Sequence, residues 1–150
     1  MLLASGALEY SISMSSFKLY TDGSSRGNPG PAGIGVVVKD SKGVNIKEVS
    51  MSIGSTTNNV AEYLALIIGL TEALILKIDD LKAFSDSELL VKQVKGEYKT
   101  KKEHLKPLLV HIKYLIKNFK KIEFNHVLRE YNKEADKLAF SATESKNVLF

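Results

Sequence analysis

The chain predicts an α/β domain: a five-stranded mixed sheet, three antiparallel strands followed by two parallel ones, flanked by helices. Three observations lead there. Short alternating or β-branched runs crowd the first third, and a long apolar run of helical length occupies the middle. After it, strand-like and helix-like segments complete the order βββαβααβα.

Phe17 to Thr21 reads as the first strand, Ile34 to Lys39 as the second and Val44 to Ile53 as the third. The Ser41, Lys42, Gly43 turn makes the second and third a hairpin, so these three are expected to be antiparallel. From Asn59 to about Lys77 the chain is apolar on most sides with little turn chemistry, which predicts a central helix lying against the sheet and largely buried. Lys82 to Ser85 is a short strand and Glu88 to about Val94 a short helix. Pro107 suits the first turn of a helix reaching about Phe119. Ile122 to Leu128 is the fifth strand, and the last helix runs from about Asn132 to Thr143.

At 150 residues, 44% hydrophobic and 25% charged, the chain has material for one core and not two. The expected domain spans residues 17–145, preceded by a poorly ordered extension, 1–16, and followed by a tail, 146–150. The extension opens on Leu2, Leu3 and Ala4, but it has no basic lead and carries Glu9, so it reads as uncleaved. Met14 is a candidate functional start. In the tail, Val148, Leu149 and Phe150 are candidates to pack on the core. No run approaches the roughly 18 apolar residues of a membrane span, which predicts a soluble, cytoplasmic protein. A net charge of +4 and a pI near 9.1 favour a polyanionic partner. The absence of cysteine removes thiolate chemistry, leaving oxygen ligands and imidazole, so hard cations are the default metals.

Four segments carry a carboxylate each. In YTDGSSRGNPGPAG, Tyr20 to Gly33, Asp22 falls where strand alternation ends and a glycine-rich turn begins. There it can project beyond the sheet edge while Gly23 and Gly27 let a polymer backbone approach; Asp followed by Gly is also an ordinary turn. In TTNNVAEYLAL, Thr56 to Leu66, Asn59 falls at a helix N-cap and Glu62 at the N3 position, so Glu62 alone reads as a capping residue worth about 0.5–2 kcal/mol. In FSDSELLVKQ, Phe84 to Gln93, Ser85 and Glu88 form a capping box and Asp86 doubles as helix-terminal charge. In HVLREYNKEADKLA, His126 to Ala139, Asp136 lies among Lys133 and Lys137, where an exposed helix carboxylate needs no function.

Taken in order, the four segments resemble the motifs of type 1 ribonuclease H: Asp before a loop ending Asn-Pro-Gly, Thr-Asn-Asn before Glu, Asp-Ser, and a basic residue and Asn before Asp. The resemblance covers residues 17 to 140. It implies the ribonuclease H-like fold and a metal site of Asp22, Glu62, Asp86 and Asp136 holding two Mg²⁺ ions, with Mn²⁺ able to substitute. It further implies hydrolysis of the RNA strand of an RNA/DNA hybrid to 5′-phosphate and 3′-hydroxyl ends, with the RNA strand chosen by its 2′-hydroxyls. Double-stranded RNA stays open as a second substrate. Gly23, Ser24, Asn28, Asn58, Asn59 and Asn132 become candidate substrate contacts. Glu88 departs from the uncharged residue the family often has there.

Two residues compete for the loop position ahead of Asp136. His126 stands ten residues earlier, but the strand runs through it with Phe124 and Leu128 on the same face, which predicts a half-buried, satisfied histidine. Arg129 begins the loop and suits a phosphate contact by its fixed charge and forked donors, so it is preferred as the catalytic partner. The lysines around GEYKTKKEHLK (Lys92, Lys95, Lys99, Lys101, Lys102 and Lys106) either bind backbone phosphate or are plain solvated side chains. With no Trp and a short segment here, the chain resembles the compact family members that lack a basic protrusion, which predicts weaker, more salt-dependent binding by a monomer. Two alternatives remain: a binding module of this fold without chemistry, and the nuclease domain of a reverse transcriptase.

Overall fold

The computed structural model describes residues 16–144. Apart from Ser16, the expectations for the extension 1–16, and all of those for the tail 146–150, lie outside the described residues.

Five strands form one sheet: β1 (Phe17–Ser25), β2 (Gly30–Lys39), β3 (Asn45–Thr56), β4 (Asp80–Ser85) and β5 (Lys121–His126). The order is β3-β2-β1-β4-β5, antiparallel from β3 to β1 and parallel from β1 through β4 to β5, as expected. Helices α1 (Asn58–Ile75), α2 (Glu88–Val94), α3 (Lys106–Ile116) and α4 (Lys133–Thr143) complete it, with 3₁₀ turns at Glu103–Leu105 and Arg129–Tyr131. β2 explains the layering. Ile34, Val36 and Val38 face the main core while Gly33, Gly35 and Val37 alternate with them, and all six are buried. A strand covered on both faces reads as a continuous apolar run. α1 lies on one face of β1 and β2, α4 covers the other, and α3 packs on α1.

Several boundaries differ from expectation for identifiable reasons. β1 does not stop at Thr21: its ladder with β2 continues to Ser25 opposite Ala32, and the Arg26 N–H donates to the Pro31 carbonyl at 2.8 Å, closing a hairpin tip. The glycine-rich segment is therefore mostly strand, and Asp22 sits inside the sheet opposite Gly35. α3 stops at Ile116 because the Asn118 amide turns back onto the carbonyls of Tyr114 and Leu115. β5 ends at His126. α1 ends in a Schellman motif, with the Ile78 N–H on the Ala73 carbonyl and Lys77 at φ +63°, a left-handed position with no glycine or asparagine to announce it.

The expectation that no segment reaches membrane-spanning length needs correction. α1 has 18 residues at mean hydropathy 1.2, long and apolar enough by length and composition alone. Its Ala61, Ala65, Leu66, Leu70 and Ala73 are buried in the domain, and only Asn58, Thr71 and Ile75 of its residues are exposed. It is the core helix the sequence predicts.

Candidate active site

Parallel pairing of β1 with β4 brings their C-terminal ends to one edge of the sheet. Thr21 stands opposite Ser85, so the next residues, Asp22 and Asp86, emerge side by side. α1 supplies Glu62 because its first turns press against β1 at Gly23, where a Cβ would lie 2.2 Å from the Ala61 carbonyl carbon. The glycine expected to admit a polymer backbone thus admits a helix. α4 brings Asp136 by a similar device: a Cβ on Gly35 would lie 2.1 Å from the Ala135 carbonyl oxygen. The amide of Asn132 ties the start of α4 to β1 by donating to the Thr21 carbonyl at 2.9 Å.

Asp22, Glu62 and Asp86 each offer a carboxylate oxygen within 4.8 Å of the others. Asp136 and Arg129 complete the lining of a cleft of about 440 Å³, and the Arg129 guanidinium lies 3.4 Å from the Asp136 carboxylate. The caps show that neither Glu62 nor Asp86 is needed to cap a helix. Thr57, not Asn59, caps α1 by accepting from the Val60 N–H at 3.3 Å, so Glu62 lies beyond the capping turn. Ser87, not Ser85, caps α2, and Glu88 pairs with Lys92 at 2.8 Å instead of closing a box. Asp86 stands just outside that cap.

The electrostatics follow from this crowding. Burial, then the charges of Asp86, Asp136 and Glu62, push the Asp22 carboxyl up to about 9. Burial raises Glu62 to about 7, against the Ser87 hydroxyl, with Asp86 adding to the rise. Asp86 is raised chiefly by burial, opposed by the Asn132 amide and Arg129. Close oxygen donors that cannot all ionise alone fit a hard divalent cation, which restores their charge by binding it.

The other expected residues distribute unevenly. Ser24 lines the cleft. Asn28 and Asn58 act as a clasp: the Asn28 side-chain oxygen accepts from the Asn58 N–H and that of Asn58 from the Ser25 N–H, both at 3.0 Å. Asn59 faces an adjoining groove with Leu89 and the lysines of residues 99–102. Asn132 is 1% exposed, so in this structure it holds the scaffold and offers no surface for substrate. His126 is exposed rather than half-buried, since it ends β5 beyond the core, and it does not line the cleft. Sequence reasoning missed Ser87 and the packing glycines, Gly33 and Gly35. Alternate glycines inside a strand pattern were the available signal for a close backbone approach.

Known proteins give the arrangement a context. A family profile described as "Reverse transcriptase-like" matches residues 20–142. A bifunctional protein of Mycobacterium tuberculosis is 42% identical over 125 residues, 83% of this chain and 34% of that protein, so the chain spans about a third of this relative's length. A ribonuclease H of Desulforamulus reducens is 35% identical over 145 residues, covering 87% of this chain and 89% of its own. The crystal structure of LC11-RNase H1 in complex with an RNA/DNA hybrid matches at TM-score 0.81 and 44% identity, covering 85% of this chain and 96% of that one.

Proposed function

Because the chain belongs to the type 1 ribonuclease H family, we propose that it hydrolyses the RNA strand of RNA/DNA hybrids, leaving 5′-phosphate and 3′-hydroxyl ends. The observation that carries this reading is the convergence of Asp22, Glu62 and Asp86 to within 4.8 Å, with Asp136 and Arg129 on the same cleft. Asp22, Glu62, Asp86 and Asp136 would hold two Mg²⁺ ions, which when bound supply charge neutralisation, activation of water and stabilisation of the departing 3′ oxygen.

The chain's own groups do the rest. Arg129, exposed at the cleft rim with a fixed charge, directs its fork to a phosphate and keeps Asp136 oriented until substrate arrives. Asn28 and Asn58 spend their oxygens on the clasp, which leaves their amide N–H groups as donors for the 2′-hydroxyls that distinguish RNA from DNA. The clasp fixes those donors on the same turn of chain that sets Glu62. Lysines 99, 101 and 102 beside the cleft take backbone phosphate without reading sequence. We place the enzyme in the cytoplasm, acting as a monomer on the hybrid.

A pure binding module is the weaker reading, since a phosphate binder gains nothing from negative charge gathered in its cleft. The deciding experiment is cleavage of a labelled hybrid, alongside double-stranded RNA and DNA, by wild type and Asp86→Asn in Mg²⁺ and in chelator. Metal-dependent cutting of the RNA strand, lost in Asp86→Asn, is expected. Tight hybrid binding without cutting in Mg²⁺ or Mn²⁺ would replace the enzyme with a binding module.

A further inference from the structure

Next to Glu62 on α1, Tyr63 points away from the carboxylates into a polar knot inside the core. Its hydroxyl donates to the Gln93 side-chain oxygen and lies 3.4 Å from the Thr100 hydroxyl. All three residues are buried, at 2%, 5% and 9% exposure. A phenylalanine, a leucine and a valine would fill the same space without polar groups to satisfy. The three also come from pieces of chain that matter to the cleft: the helix carrying Glu62, the helix that begins just after Asp86, and the segment that bears Lys99, Lys101 and Lys102.

That last segment is weakly held by its own backbone. After α2, main-chain hydrogen bonds tie Gly96, Glu97 and Tyr98 back to Gln93 and Lys92 and resume only with the Lys102 carbonyl. Between them Thr100 is the buried residue, flanked by exposed lysines. Beneath this arm lies a groove of about 600 Å³ that Asn59 and Gln93 help to line. We propose that Tyr63, Gln93 and Thr100 form a latch that sets the lysine arm at a fixed distance from the carboxylate cleft, making Tyr63 and Thr100 positioning residues for substrate binding. The substrate side of this inference rests on the hybrid-cleaving function proposed above; the latch itself does not.

Tyr63→Phe and Thr100→Val keep shape and remove one hydroxyl each. With the hybrid as substrate, each is expected to raise KM about three- to tenfold, the scale of one neutral hydrogen bond, with kcat within about twofold of wild type. The dependence of log KM on log salt should flatten by about one unit as the arm's phosphate contacts loosen. The double variant should cost less than the product of the singles, because both break one network. Independently of activity, native-state trypsin should cut after Lys99, Lys101 or Lys102 several times faster in the variants. Unchanged KM, salt slope and trypsin rate in both variants would overturn the latch, as would kcat falling as far as kcat/KM. Faster trypsin cutting alongside a wild type that does not cleave hybrid would leave the latch standing and refute the proposed function instead.

Discussion

Neutralising Asp22 should make the protein in chelator more stable while abolishing the hybrid cleavage proposed above. The carboxyl is raised from 3.8 to about 9 by burial and by its acidic neighbours, so the folded state binds this proton far more tightly than the unfolded chain. The stability this confers is complete below pH 3.8 and is lost progressively as pH rises through about 9. At pH 7 roughly three pH units of that range have been crossed, at about 1.4 kcal/mol each, which puts a ceiling near 4 kcal/mol on the cost of keeping Asp22 protonated in the fold while the unfolded chain ionises it. Glu62 and Asp86 are raised as well, and a proton taken by either relieves Asp22, so about 2 kcal/mol is the working figure. In chelator at pH 8, Asp22→Asn should therefore melt about 4–8 °C above wild type, and the gap should close as pH falls toward 4. Saturating Mg²⁺ should raise wild type much more than the variant. If Asp22→Asn melts at or below wild type in chelator at pH 8, or if the gap is the same at pH 4.5, the crowded-carboxylate account of this site is wrong.

Three further outcomes are open to direct measurement. Asn132→Ala removes a buried amide and the hydrogen bond it gives the Thr21 carbonyl; it should cost about 1–3 kcal/mol in denaturant melts and lower kcat, because both Asp86 and the start of α4 lose their support. Lys77→Gly relieves a side chain held at φ +63° and should stabilise by about 1 kcal/mol in the same melts, with cleavage unchanged. Arg129→Gln should lower kcat/KM for the hybrid by roughly tenfold or more, whereas His126→Gln should change it less than threefold; the reverse order would move the loop role to His126.

The fold was legible wherever the hydrophobic pattern and the topology agreed. Ile34 to Val38 reads as a strand covered on both faces and is one, and the apolar run of α1 reads as the core helix and is one. Boundaries were hidden where a side chain, not a propensity, sets the end: Asn118 stops α3, and Lys77 closes α1 against its own preference because Ile78 gains burial in exchange. Asp22 looked like a turn residue because Gly23 follows it, yet that glycine is there so that α1 can touch β1. For Glu62 and Asp86, capping was a fair local explanation until Thr57 and Ser87 proved to hold those caps. Asn132 shows the limit in the other direction, since a motif marks a position as important without saying whether it faces solvent or the interior.

The four carboxylates hang on β1, α1, the end of β4 and α4, separated along the chain by as much as 114 residues, from Asp22 to Asp136. During synthesis, then, no chain that stops short of α4 carries all four acids. A chain stalled after β4 has three of the acids but no α4, and the glycines of β2 wait for a helix not yet made. On the function proposed above, hybrid cleavage waits for α4 to dock and deliver Asp136, so a nascent or frayed chain in which α4 is loose would leave hybrids uncut.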